Sequence, residues 1–273
     1  MSQLNRYLRV LGVFARNSLI RSMMFRANFI LESISNLAWV VLNLGLYVLL
    51  FSYTRQIGSG WTEYRYFVFL ATLQLINSLV EAFLMPNVEE FSELVRSGDL
   101  DFALLKPIDT QFLVSLAKID WSALSNFIFA GCLLVFALVH LDYLPSLGVA
   151  LLYPLYIACG VVILYSLMIA LAATTVWLGR NQSIYDFWFY ITNFSRYPME
   201  IFTGPMGAPL KFICTFLIPV LVVVNVPARI LAKPLTAESW QLAVFALLAT
   251  VVSLAAGRWL FNRSIQSYRS ASS

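Results

Sequence analysis

Residues 86–111 read PNVEEFSELVRSGDLDFALLKPIDTQ, a charged island with long apolar runs on both sides. Those runs set the class of the whole chain. Of its 273 residues 60% are hydrophobic and 12% charged, and the mean hydropathy is +0.78. A soluble domain carries about 25% charged residues. So few charges cannot cover a water-facing surface, and lipid is the solvent for much of this one. A helix of about 20 apolar residues spans a bilayer, and several runs reach that length. In hydrocarbon every backbone polar group must pair internally, which selects helices over open sheets. The runs are continuous rather than strictly alternating, which argues against an outer-membrane barrel. The expected fold class is an all-α integral membrane protein.

Working outward from the island, spans are expected at about 66–85 before it and 113–140 after it. A first span covers about 27–51, followed by a polar link with Gly58 and Gly60. The link's Tyr53, Trp61 and Tyr64 suit an interfacial aromatic belt. A fourth span covers about 147–178, then a polar break, GRNQS at 179–183. An aromatic segment at 184–202, a proline-punctuated one at 203–234 and a last span at 239–261 complete the chain. The third and fourth spans carry no polar stripe and are expected to face lipid.

Residues 1–26 are too arginine-rich for a cleavable signal and read as an amphipathic interfacial helix. Arg6, Arg9 and Arg16 share one arc, with Leu4, Leu8, Leu11, Ala15 and Leu19 opposite. With six spans and a cytosolic N-terminus, only Arg55, Arg65, Arg196, Lys211, Arg229 and Lys233 of the 18 basic residues lie outside. That bias supports both termini inside. In 184–234 two layouts stay open. Charge alone prefers one span at about 212–231 with 184–211 cytosolic. The alternative is a span at 184–202 followed by a re-entrant hairpin, its pieces cut short by Pro205, Pro209, Pro219 and Pro227.

The island has local logic. Asn87 suits a helix N-cap with Glu90 in the capping-box position, and Gly98 suits the helix end. Val88, Phe91 and Val95 form an apolar face. Asp99 is placed to cap a second short turn that Pro107 stops. Either this element lies on the membrane or it docks a cytosolic partner; Glu90, Glu93, Arg96, Asp99 and Asp101 are the candidate docking residues.

Polar residues in the spans cluster on faces: Asn28, Glu32, Ser35, Asn36, Trp39 and Asn43 in the first, and Gln74, Asn77, Ser78 and Glu81 in the second. After the polar break come Gln182, Asp186, Tyr190, Asn193 and Tyr197. Polar groups are costly against acyl chains, so these stripes face protein or water. They are either interhelical hydrogen-bond glue or the wall of a translocation path, whose candidates are Glu32, Asn36, Asn77, Glu81, Asp186 and Asn193.

No lysine follows a glycine, so the chain holds no GxxxxGK[ST] phosphate loop and is no P-loop ATPase by itself. One histidine, His140, makes a histidine-based metal site improbable and reads as interfacial. Cys132, Cys159 and Cys214 lie in apolar segments and read as small buried side chains. No catalytic residue and no metal ligand is expected.

With these residues in place, the chain resembles the ABC-2 type exporter permeases, in the subgroup with a G-D-L-D-x-x-L-L-x-P-I-D segment. Here that segment runs from Gly98-Asp99-Leu100-Asp101 through Leu104-Leu105 to Pro107-Ile108-Asp109. A second matching stretch is Ser195-Arg196-Tyr197-Pro198-Met199-Glu200-Ile201-Phe202, continuing through Gly204-Pro205, Ile218-Pro219 and Val226-Pro227-Ala228. The resemblance implies one transmembrane domain over 1–273 with six transmembrane helices. Residues 86–111 would be a cytosolic coupling helix region and 203–234 an outer re-entrant hairpin before the last span. It implies a second permease copy or a sister permease, and a separate ATP-binding subunit that carries ATP and Mg, with no cofactor on this chain. It further implies export across a bacterial cytoplasmic (inner) membrane and no nucleic-acid partner. No motif selects the substrate: an amphipathic or lipid-like molecule, a lipid-linked glycan and a toxic cation all stay open. The competing class is a non-transporting membrane scaffold or a lipid-modifying membrane protein. A secondary transporter would show broken helices in repeat-related halves, a pairing this sequence lacks.

Overall fold

The computed structural model describes residues 3–58, 60–141, 145–178, 189–190, 193–234 and 236–268. Among these residues the chain is helical, with a single isolated bridge between Ile57 and Trp61. The helices are α1 (Gln3–Met24), α2 (Arg26–Tyr53), α3 (Glu63–Phe83), α4 (Met85–Ser97), α5 (Leu100–Leu104) and α6 (Thr110–Leu116). They continue as α7 (Leu124–Val139), α8 (Leu147–Leu178), α9 (Gly204–Phe212), α10 (Val220–Ala232) and α11 (Ala237–Ser267).

Four helical stretches among the described residues are long and apolar enough to cross a membrane: Arg26–Tyr53, Glu63–Ser97, Leu147–Leu178 and Ser239–Ser267. The second joins α3 to α4 in 35 residues. At roughly 1.5 Å per residue that is about 50 Å, against a hydrocarbon core of about 30 Å. The helical stretch is thus longer than a hydrocarbon core requires, and its last part is the first half of the island.

The unit expected at 113–140 is interrupted. Residues 117–123 separate α6 from α7, a shorter apolar helix of 16 residues. Lys118 and Asp120 sit in this break and are tied to the neighbouring chain instead of being buried in a helix. Asp120 N–H donates to Ala82 O at 2.8 Å and its carboxylate accepts from Ser122.

Residues 203–234 do not form one straight span. The pieces Gly204–Leu217 and Val220–Ala232 meet at 88°, the geometry of a broken span or of a re-entrant loop. Pro219 has no N–H to continue the ladder, and Ile218 is extended (φ −118°, ψ 90°). Of the span expected at 184–202, residues 184–188 and 191–192 lie outside the described residues; 189–190 and 193–195 are helical, and the stretch closes in a turn and a short 3-10 helix, Met199–Ile201, instead of continuing as one helix to 202.

The core is built around α3, whose Tyr66, Phe69 and Ile76 are fully buried, packed by α7, α8 and α10. α8 packs in turn on α10 and α11. The fourth span is thus half buried between helices, 56% of its most apolar stretch, while Leu147, Leu151, Leu155 and Leu178 stay exposed. Its apolar residues suit a helix-packed core as well as lipid, so the absence of a polar stripe could not separate the two. Small residues permit its close approaches. A Cβ on Gly160 would meet Val223 O of α10 at 2.9 Å, and one on Gly257 of α11 would meet Ser166 O at 3.0 Å. α2 stands apart with most of its surface exposed, packed along one edge on α1 and α7 and, near its end, on α3 through Tyr47 and Phe51 against Tyr66. Cys159 and Cys214 are buried as expected, but Cys132 is exposed on α7. His140 closes α7 as an exposed side chain stacked on Tyr64.

Candidate functional site: a polar cleft and the element below it

Gln74, Asn77 and Glu81 recur at three- and four-residue spacing and so share one face of α3. They meet Asn36, Trp39 and Asn43 of α2 across a cleft of about 210 Å³. α7 supplies Asn126 to the wall, and the segment after the described gap supplies Arg196. A second cavity of about 560 Å³ lies toward α1 and the 117–123 break. Asn36 and Glu81 line both, so the two adjoin. Arg21, Glu89, Lys118 and Asp120 ring the second one.

Of the residues expected along a path, Asn36, Asn77 and Glu81 are brought together here. Glu32 is exposed, accepts from Asn28 Nδ2 at 2.6 Å, and does not line the cleft. Asn193 is half-buried on the segment that carries Arg196. Asp186 lies outside the described residues. Asn126 was not singled out by the sequence reading; it is buried, and its Oδ1 has no hydrogen-bond partner. The available signal was one carboxamide in an otherwise apolar helix.

The island folds differently at its start from the capping-box expectation. α4 begins at Met85 with Pro86 in its first turn. Asn87 is buried inside the helix and clasps the 117–123 break: its Nδ2 donates to Lys118 O and Phe83 O, both at 2.7 Å, and its Oδ1 accepts Lys118 N–H at 2.8 Å. Continuity with α3 removes the free N-terminus that a cap would serve. Gly98 ends α4 in the left-handed conformation at φ 84°, as expected. Asp99 starts α5 without capping it and instead accepts from Ser97 Oγ at 2.8 Å. α5 ends at Leu104, ahead of Pro107.

One face of this element is anchored. Phe91 and Leu100 are fully buried, and the Phe91 ring lies 5.5 Å from that of Phe261 in α11. The other face is open. Glu93, Arg96 and Asp99 are exposed, with Arg96 bound to Glu93 through two hydrogen bonds at 2.6 and 2.9 Å. Phe102 and Leu105 are exposed beside them. Glu90 behaves otherwise: it accepts from Lys118 Nζ at 2.5 Å and faces the break. Asp101 is half-buried.

Two polar clusters hold the frame. Asp109 caps α6 by accepting Phe112 N–H at 2.9 Å and takes both Nη atoms of Arg258. Arg258 also donates to Gln111, whose amide reaches Tyr165 of α8. The Arg258 hydrogen bond holds the Asp109 carboxyl below the usual carboxylate range, helped by the Phe112 N–H and opposed by partial burial. At the opposite end, Glu200 accepts from Arg229 at 2.8 Å and Lys233 at 3.0 Å, and Lys233 lies over the Trp61 ring. Burial pushes the Glu200 carboxyl up, but the Arg229 and Lys233 charges outweigh it and hold it low. Asn225 Oδ1 accepts Met199 N–H at 2.8 Å, tying the SRYPMEIF stretch to the hairpin.

A family model described as "ABC-2 family transporter protein" matches residues 37–272. No curated protein and no solved structure matches the chain.

Proposed function

Because the chain belongs to the ABC-2 family of transporter proteins, and is thus a membrane permease component of an ABC transporter, we propose that it works in an ATP-driven exporter. Hydrolysis occurs on a separate ATP-binding subunit that carries ATP and Mg. This chain performs no chemical step; it converts closure of that subunit into movement of substrate. The domain spans 1–273, with residues 1–26 at the inner interface and both termini in the cytosol of a bacterial cell. Residues 203–234 form the re-entrant hairpin on the outer side. A second permease, identical or a sister chain, completes the assembly.

The observation that carries this reading is the two-faced α4–α5 element. It is rigidly continuous with the second span and clamped inward by Phe91 and Leu100. Outward it presents Glu93, Arg96 and Asp99 beside exposed Phe102. Charges surrounding an apolar anchor suit a protein partner better than a lipid surface. In this arrangement Glu93, Arg96 and Asp99 touch the ATP-binding subunit, while Glu90 and Asp101 position the element. The cleft lined by Asn36, Asn77 and Glu81 is the path, with Glu32, Asp186 and Asn193 flanking it. The substrate is amphipathic, lipid-like or a glycan. Vesicles holding the assembled complex test the reading: substrate-dependent ATP hydrolysis that is lost when this chain is omitted supports it, and hydrolysis indifferent to this chain rejects it.

A further inference from the structure

We propose that the cleft between α2, α3 and α7 binds the uncharged, polyhydroxylated headgroup of an amphipathic substrate. The inference rests on the transporter reading and narrows its substrate class to a glycolipid-like molecule.

Five carboxamides line the cleft: Asn36, Asn43, Gln74, Asn77 and Asn126. A carboxamide carries both donors and an acceptor, the same dual character as a sugar hydroxyl. Asn43 spends one N–H on Trp39 O at 2.7 Å, which leaves its carbonyl. An anionic headgroup would call for converging cations, and among the described residues Arg196 is the one basic residue in the wall. A cationic headgroup would call for converging carboxylates or an aromatic cage. Among the described residues Glu81 is the one acid in the wall, and it also lines the second cavity.

Asn126 supplies the independent observation. It is 3% exposed, it lines the cleft, and its Oδ1 has no hydrogen-bond partner. A buried acceptor left unpaired is costly. A hydroxyl entering the cleft satisfies it, whereas an alkyl chain or a quaternary amine does not. Trp39 is exposed at the mouth and offers an indole face to a sugar ring. Leu44, Leu70 and Leu133 give the same cleft an apolar side for the adjoining acyl chain.

The test uses the full chain in nanodiscs and native mass spectrometry. The probes share the same acyl chains: monoglucosyl diacylglycerol, diacylglycerol, phosphatidic acid and a diacyl trimethylammonium lipid. The glucosyl lipid is expected to be retained at least tenfold more tightly than the other three. Asn126→Ala and Asn77→Ala are each expected to erase most of that preference, and Glu32→Gln, outside the cleft, to spare it. Should Asn126→Ala fail to fold, Asn77→Ala alone decides. Equal retention of all four lipids overturns the proposal. So does preference for the trimethylammonium lipid that Glu81→Gln removes, or wild-type glucosyl-lipid retention in the folded asparagine variants. Any of these leaves the exporter reading standing. An exporter complex that cannot be assembled would sink that reading while leaving the headgroup preference measured.

Discussion

Asp109 and Arg258 are joined head to head across 149 positions of sequence, Nη2 to Oδ2 at 2.5 Å and Nη1 to Oδ1 at 3.0 Å. The last residue of the GDLDFALLKPID segment is thereby locked to the final span. Arg258 also bonds Gln111, whose amide reaches Tyr165, so the end of the segment is tied to α11 directly and to α8 through Gln111.

Asp109→Asn is expected to lower stability by about 1 kcal/mol, because the pair is bidentate but partly open to water. The Asp109 carboxyl is depressed in the folded protein. Its contribution is therefore present above the unfolded value near ~3.9 and lost as pH falls through the lower folded value. Thermal unfolding in detergent should show a loss below about pH 4 that is smaller in Asp109→Asn than in the wild type.

Charge reversal of Glu93 and Asp99 to lysine should leave the unfolding temperature unchanged, since both side chains are exposed. It should abolish stimulation of the partner's ATP hydrolysis. Normal stimulation by the double variant would remove these residues from the docking surface.

Gly160→Val drives side-chain atoms into the backbone of α10 at Val223. A destabilisation of about 1–3 kcal/mol is expected from such overpacking. Gly131, with open space around it, should accept alanine with little change in the same unfolding measurement.

Asn77→Ala and Glu81→Ala should each change transport by several-fold without loss of assembly, because both face the cleft. Glu32→Ala should leave transport near wild type, since Glu32 lies outside it. Transport assays in vesicles made from cells expressing each variant separate the two classes. A Glu32 variant as impaired as Asn77→Ala would mean that the whole α2 stripe works as one path.

The helices and their class were legible because apolar runs of spanning length leave the backbone no alternative. The 88° break was legible in Pro219 and its neighbours, and the end of α4 in Gly98. The stripe on α3 pointed to the cleft because Gln74, Asn77 and Glu81 keep helical spacing. What stayed hidden depends on partners distant in sequence. Asn87 looked like a cap, since nothing local reveals that Lys118 lies across from it. The ion pair of Glu90 with Lys118 was hidden for the same reason. Asn126 was one amide among apolar neighbours, and only the packing of α7 against α3 turns it toward the cleft. The burial of α8 was invisible because lipid and protein interiors accept the same side chains.

The most direct measurement is purification of the tagged chain in mild detergent, with mass spectrometry of what accompanies it. A stoichiometric P-loop ATPase, lost on reversing Glu93 and Asp99, is the predicted result. A chain that purifies alone, under conditions that keep other ABC complexes intact, would contradict the account.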